Sequence, residues 1–418
     1  MTISKFTIIL ALYLVSLNGL IYADEFHYNN TLIGNRASGM GGAYTAISDD
    51  STGLFYNPAG IVFADTEKLS ASVNAFQSST LTYKGVLNGG DWVRESSSLV
   101  PNFFGITQQL GDGHFGFSYA VTNSEVENQD SRFTTIPGIP LYSVNINNRD
   151  TTIKIGPSYA IAVNDQINIG MTLYYHDRER ELINNQWIRL SDNTFEWSNL
   201  YFETSETGIE PILGILWSPS DSISLAMTLQ KTFILSSRST FQNTCSSNIN
   251  NSAVQSAQCI PLSGSPLDPS FSSNKNEREL PLNLRLGVAY FPSDRLLIDV
   301  DLSFFESVNK NGSNAEQTIN IAAGLEYYYS SAWAFRGGIF TNNANTPELS
   351  SNRSNQLDHV DLIGLSVSIT RFTKSSSVSA GFVYSFGEGE AQVIAGDNQI
   401  QDLEQTAQTI YLSTSYHF

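Results

Sequence analysis

The sequence predicts an all-β fold: a 14-stranded antiparallel transmembrane β-barrel with a short helical N-terminal hatch in its lumen. Three observations predict it. From about residue 67 onward, apolar residues alternate with polar or small ones, the period of a strand with one apolar face. The connections between these segments alternate short and long, as the two ends of an outer-membrane barrel require. Aromatic residues gather beside the short connections, at Trp217, Tyr290, Phe291, Tyr329, Trp333, Phe372, Tyr416 and Phe418, where an interfacial girdle belongs.

Residues 1–23 read as a cleaved secretory signal. Lys5 gives the positive start, Phe6 to Leu20 the apolar stretch, and Ala23 the small residue before Asp24. Ile21 departs from the small-x-small rule. An uncleaved anchor helix is the alternative, and the apolar run is short for one. Cysteine is absent at the cut, which argues against a lipid anchor. The 22 basic and 40 acidic residues leave a net charge of −18, and charged residues make up only 15%. An acidic chain without Lys/Arg clusters is not a nucleic-acid binder. No later stretch approaches the ~20 apolar residues of a spanning helix.

Residues 24–66 do not alternate and read as the hatch. They are rich in small residues, which let backbone pack on backbone. Asn57 followed by Pro58 is an N-cap and a first helical position. Phe55, Tyr56, Asn57, Pro58, Ala59 and Gly60 are the expected hatch and ligand-path residues. About eight strands already fill with side chains, so a wider barrel leaves room for such a segment. The glycine run lacks the Lys-Ser/Thr of a phosphate-binding loop.

Residues 67–418 are the expected barrel. Its segments fall near 67–80, 99–110, 114–124, 150–163, 167–180, 200–217, 222–235, 281–291, 295–306, 317–329, 332–341, 357–372, 376–387 and 405–418. The stretches 81–98, 125–149, 181–199, 236–280, 307–316, 342–356 and 388–404 are the expected long loops. A sheet in hydrocarbon can leave no unpaired edge, so the apolar set faces lipid and the small polar set the lumen. A turn at Pro292-Ser293-Asp294 would place Arg285 opposite Asp301, both inward, and Glu326 would face Arg336. Cys245 and Cys259 lie in one polar stretch and predict a disulfide in an exported chain; a metal site is the weaker reading, and no metal is expected. Pro157 after Gly156, beside Gly113 and Gly116 of the neighbouring segment, predicts a wall kink. An ordinary bulge is the alternative, and Pro211 is a competing kink.

The segment RASGMGGAYTAISDDSTGLFYNPAGI, followed by an alternating barrel with a terminal Phe, resembles the FadL family of outer-membrane hydrophobic-compound transporters (FadL and TodX types). Asn57-Pro58-Ala59 matches that family's NPA motif. The resemblance implies fourteen strands, an N-terminal hatch, capture of a hydrophobic ligand such as a long-chain fatty acid, and release through a gap in the wall into the bilayer. Apolar residues of the long loops (Ile136, Ile139 and Leu141; Ile260, Leu262 and Leu267) are the expected capture surface. The expected partners are that ligand, outer-membrane lipid and lipopolysaccharide, and the barrel-assembly machinery that reads a terminal Phe. No cofactor is implied. The same N-terminal pattern also resembles relatives that serve as secretion-system scaffolds or shuttles. A general porin is a third reading, against which the hatch argues. An enzyme is the last, because the five His residues are dispersed and suggest no triad.

Overall fold

The computed structural model describes residues 26–64, 68–136, 138–248, 270–274, 278–310, 313–393 and 398–417. The expected signal at 1–23, Cys259, the capture residues Ile260, Leu262 and Leu267, and Phe418 lie outside them.

Fourteen antiparallel strands form the barrel. They are β1 (Lys68–Gly85), β2 (Gly90–Leu110), β3 (Gly113–Phe133), β4 (Leu141–Ala162), β5 (Ile167–Arg189) and β6 (Phe195–Ser220), then β7, in two pieces (Ile223–Gln230 and Phe233–Ser247). There follow β8 (Asn283–Ser293), β9 (Leu296–Phe305), β10 (Thr318–Ser330), β11 (Trp333–Asn342), β12 (Leu362–Phe372), β13 (Ser376–Ala391) and β14 (Gln401–His417). The last strand pairs with the first from Lys68↔His417 to Tyr83↔Leu403, so the sheet has no edge.

The side chains are arranged inside out. Ile155, Tyr159, Ile169, Met171, Leu173 and Leu213 are exposed on the outer face, while Ser158, Ala160, Asn168 and Thr172 are buried on the inner one. Against water this would expose far too much contiguous apolar surface; against acyl chains it is the favourable arrangement. On β5 the outward apolar run goes from Ile167 to Tyr175, enough for a tilted strand to cross a band of roughly 25 Å.

The rim is uneven. β5 has 23 residues and β6 has 26, but β9 and β11 have 10 each. Much of 81–98, 125–149 and 181–199, expected as loop, is therefore strand. The cause is a change of polarity. Above the lipid band the outside is water, and the inner face turns apolar: Tyr142, Val144 and Ile146 point inward and are buried, while Asn145 and Asn147 point outward. A pattern that requires apolar residues outside breaks off where these strands leave the membrane.

Two local departures have physical causes. β7 is interrupted at Lys231–Thr232; β6 pairs with its pieces at Ile212↔Gln230 and Ile209↔Phe233. Between them lies Pro211, which has no N–H for the ladder. At the β8–β9 turn the register differs from the expected one: Arg285 faces Ser303, and Asp301 faces Gly287. The ladder skips Phe291 and Pro292 and resumes at Ser293↔Leu296, closing a two-residue turn and shifting every partner.

Candidate functional site

Residues 26–64 occupy the lumen. They carry two short α-helices, α1 (Asn35–Gly39) and α2 (Gly53–Tyr56), and a 3-10 helix, Pro58–Phe63. Inward-facing wall glycines seat them. A Cβ on Gly170 would meet the Pro58 carbonyl carbon at 2.5 Å and the Ala59 nitrogen at 2.6 Å. On Gly214 it would meet Asn57 Oδ1, on Gly338 the backbone of Met40 and Gly41, and on Gly116 the Leu54 side chain. The lumenal backbone thus rests on wall backbone, an approach that glycine permits.

Polar ties complete the seat. Asp301 Oδ2 accepts from the Tyr44 N–H (2.9 Å), the Thr45 N–H (3.0 Å) and the Thr45 hydroxyl (2.6 Å). The Leu54 carbonyl accepts from Thr172 (2.7 Å) and Tyr174 (3.2 Å). Arg36 donates to Glu326 Oε2 through Nε (2.8 Å) and Nη2 (2.6 Å), and pairs with Asp49. Glu326 Oε1 accepts from Arg336 Nε at 2.7 Å, so one buried carboxylate joins α1 to two wall strands. Asn57 Oδ1 caps the Ala59 N–H at 3.1 Å, and its Nδ2 donates to the Thr45 carbonyl at 2.9 Å. Asn57→Ala is expected to destabilise the lumenal segment by about 1–2 kcal/mol. A lowered urea midpoint for its release checks this, and Asn57→Ser, which keeps a capping oxygen, should recover part of the loss.

The chain from Phe26 to Leu32 divides the lumen and lines a cavity on each side. His27 Nε2 lies 2.7 Å from the Val360 carbonyl, and the Tyr28 ring stacks on Phe305 at 4.1 Å. The larger cavity, about 590 Å³, has Phe55 and Tyr56 on one side and charged wall residues on the other. Lys154 pairs with Glu210 (2.7 Å), Arg178 Nε with Asp150 (2.9 Å) and Arg278 with Glu206 (2.8 Å). Lys154 also lies over the Phe55 ring (5.7 Å) and Arg285 over the Tyr56 ring (5.2 Å). Burial pushes the Tyr56 phenol up to about 12, against the pull of Arg285, so it stays protonated at neutral pH. His176 lines the same cavity; both its ring nitrogens are buried without a hydrogen-bond partner among the described residues.

The smaller cavity, about 100 Å³, lies against β1, β2, β13 and β14 and includes Leu81, Tyr83, Arg94, Ser96 to Ser98 and Leu403. Apolar residues close the mouth above: Trp92, Ile136, Ile139, Tyr142, Ile146, Leu182 and Leu200 form one buried cluster. Below that roof the wall has a discontinuity. β2 and β3 pair from Leu110↔Gly113 to Phe103↔Ala120, stop, and pair again only at Ser96↔Glu127. Between these points a side chain bridges them, Ser98 Oγ donating to the Ser124 carbonyl at 3.1 Å.

No family model matches the sequence, and no curated protein matches it. Solved structures do match its fold. A Pseudomonas aeruginosa FadL homologue aligns with TM-score 0.65 at 14% identity, over 94% of this chain and 99% of that one. The P. putida toluene transporter TodX gives 0.63 at 13%, over 92% and 98%. The monoaromatic hydrocarbon channel CymD gives 0.60 at 14%, over 94% and 99%. This is the FadL-type barrel fold.

Within the FadL-type fold, the residues singled out in the sequence fall as follows. Phe55 and Tyr56 border the larger cavity, while Asn57 to Gly60 anchor the lumenal segment against β5 and β6. Arg285 and Asp301 both line that cavity, displaced from the expected pairing; Glu326 and Arg336 are direct cross-strand partners. Cys245 is disulfide-bonded. Ile136 and Ile139 are buried in the mouth cluster rather than displayed. Gly113, Gly116, Gly156 and Pro157 lie where β3 and β4 pair without a break; the ladder skips Gly156 and Pro157 only on the β5 side. The six-residue interruption is one strand over, between β2 and β3. Pro101 within it was a legible signal. His176, Arg178 and the wall glycines Gly170 and Gly338 were missed as site residues: inward positions of a barrel alternate too regularly to mark which of them meet a cavity.

Proposed function

We propose that the chain is an outer-membrane transporter of hydrophobic compounds, exported through its N-terminal leader, and that its ligands are amphiphiles with an acidic head, of which long-chain fatty acids are the model. The observation that carries this reading is an apolar cluster at the upper end of the barrel together with a lumenal cavity of about 590 Å³ whose lining sets Lys154, Arg178, Arg180 and Arg285 beside Glu206, Glu210 and Asp301. That volume lies in the range of roughly 300–1,000 Å³ typical of small-ligand pockets. A plain hydrocarbon has nothing to give to a wall of this charge, whereas a carboxylate does.

The path follows from the arrangement. The ligand partitions from the polar saccharide layer into the mouth, and its head reaches the Lys and Arg side chains of the larger cavity, exchanging with the carboxylates that pair them. The segment 26–64 acts as a hatch, and displacement of residues 26–32 joins the two cavities. Release is sideways through the β2–β3 interruption, at the upper edge of the lipid-facing band, into the bilayer. The concentration gradient drives the process.

In a Gram-negative host lacking its own fatty-acid uptake protein, the chain is expected to restore uptake of radiolabelled oleate. Uptake no greater than with an empty vector would reject the reading.

A further inference from the structure

Arg94 stands at the β2–β3 interruption and lines the smaller cavity. Its Nε and Nη2 donate to Glu127 of β3 at 2.8 Å and 2.6 Å, and its Nη1 donates to the Tyr83 hydroxyl at 3.2 Å. Tyr83 in turn donates to Asp358 at 2.9 Å. Arg94 and Glu127 are both buried. This ion pair joins β2 to β3 at the point where their ladder returns. The other links above the gap are also made by side chains: the Glu95 N–H donates to Gln129 Oε1 at 3.0 Å, and Trp92 Nε1 to Ser131 Oγ at 3.3 Å.

We propose that Arg94 is an exit-side binding site for the carboxylate head of an amphiphile, occupied at rest by Glu127, and that ligand and Glu127 exchange on it as the seam opens. The proposal rests on the reading above, that an acidic amphiphile leaves sideways. A buried guanidinium stripped of its carboxylate is strongly disfavoured, so the seam resists parting on its own. A ligand carboxylate arriving from the smaller cavity keeps Arg94 paired, in the same forked geometry, while Glu127 moves away with β3. An uncharged ligand offers no such exchange. Arg94 would thus make release, and not only capture, selective for acids.

The test compares dodecanoate with uncharged dodecanol, each titrated calorimetrically into the full chain in lipid nanodiscs, with empty discs subtracted. Glu127→Gln removes the competitor and preserves its shape. Dodecanoate is expected to bind this variant on the order of tenfold more tightly than wild type, with dodecanol unchanged, and Arg94→Gln added to it should abolish the gain. Equal effects on both ligands, no gain, or a gain that survives Arg94→Gln would overturn the proposal. If Glu127→Gln fails the heat-modified gel shift of a folded barrel, Glu127→Asp, with its carboxylate drawn back, should give a smaller gain in the same sense. Oleate uptake without this gain counts against the Arg94 site alone; absence of oleate uptake counts against the transport reading.

Discussion

Gly170→Leu is expected to make the closed barrel leak ions. Gly170 faces inward beside Ala160 and Gly214, and the Pro58–Ala59 backbone sits directly against it. A leucine there meets peptide atoms, which cannot rotate away as a side chain can. Overpacking of this kind costs roughly 1–3 kcal/mol, and each 1.4 kcal/mol shifts a closed–open equilibrium by about tenfold. The strain is relieved by lifting the hatch rather than by breaking a sheet whose every pair is inter-strand. Conductance in planar bilayers should therefore rise by an order of magnitude or more. Gly337→Leu is the control. That position is on the lipid-facing parity of β11, and the nearest atom to its Cβ is the Ser366 carbonyl at 3.9 Å, so the pore should stay shut. Equal leakage from both variants would mean that the hatch is not seated on the wall as described.

The second large effect is expected at Glu326. Its two oxygens hold Arg36 of the lumenal segment, the proposed hatch, and Arg336 of β11. Glu326→Ala leaves the buried Arg336 guanidinium without its carboxylate and facing the partly buried Arg36, which keeps only Asp49, a loss of roughly 3–5 kcal/mol by analogy with other broken buried pairs. Arg36→Met removes only one cation; Glu326 keeps Arg336, which also donates to Thr370. The glutamate variant should thus release the hatch at a lower urea concentration than the arginine variant. The reverse order would show that Asp49, the other partner of Arg36, carries most of the attachment.

The membrane-embedded part of the fold was legible because bilayer physics acts on every residue there. Ile169, Met171 and Leu173 face lipid, Gly170 and Thr172 face the lumen, and their alternation is plain in the sequence. Above the lipid band that constraint lapses. At Tyr142, Val144 and Ile146 the apolar face is the inner one, so a tall half-wall reads as loop. The site was less legible than the fold. The motif at Asn57-Pro58-Ala59 marks where the lumenal segment is anchored, and Phe55 and Tyr56 border the cavity. Yet the charges that line it come both from neighbouring strands, as with Lys154 and Arg178 on β4 and β5, and from strands far along the chain, as with Arg285 and Asp301 on β8 and β9, and nothing local announces that these two groups converge. The wall interruption shows the same limit. Pro157 and Pro101 are both prolines in barrel strands, but whether a neighbour fails to pair depends on the bend of the whole sheet.

The most direct test of the central claim is where a ligand sits. Crystals soaked with an ω-brominated undecanoate should show the anomalous bromine signal inside the barrel, on the mouth side of the larger cavity, with the carboxylate toward Lys154 and His176. Bromine found only on the outer lipid-facing surface, with the lumen empty at saturating ligand, would contradict the account.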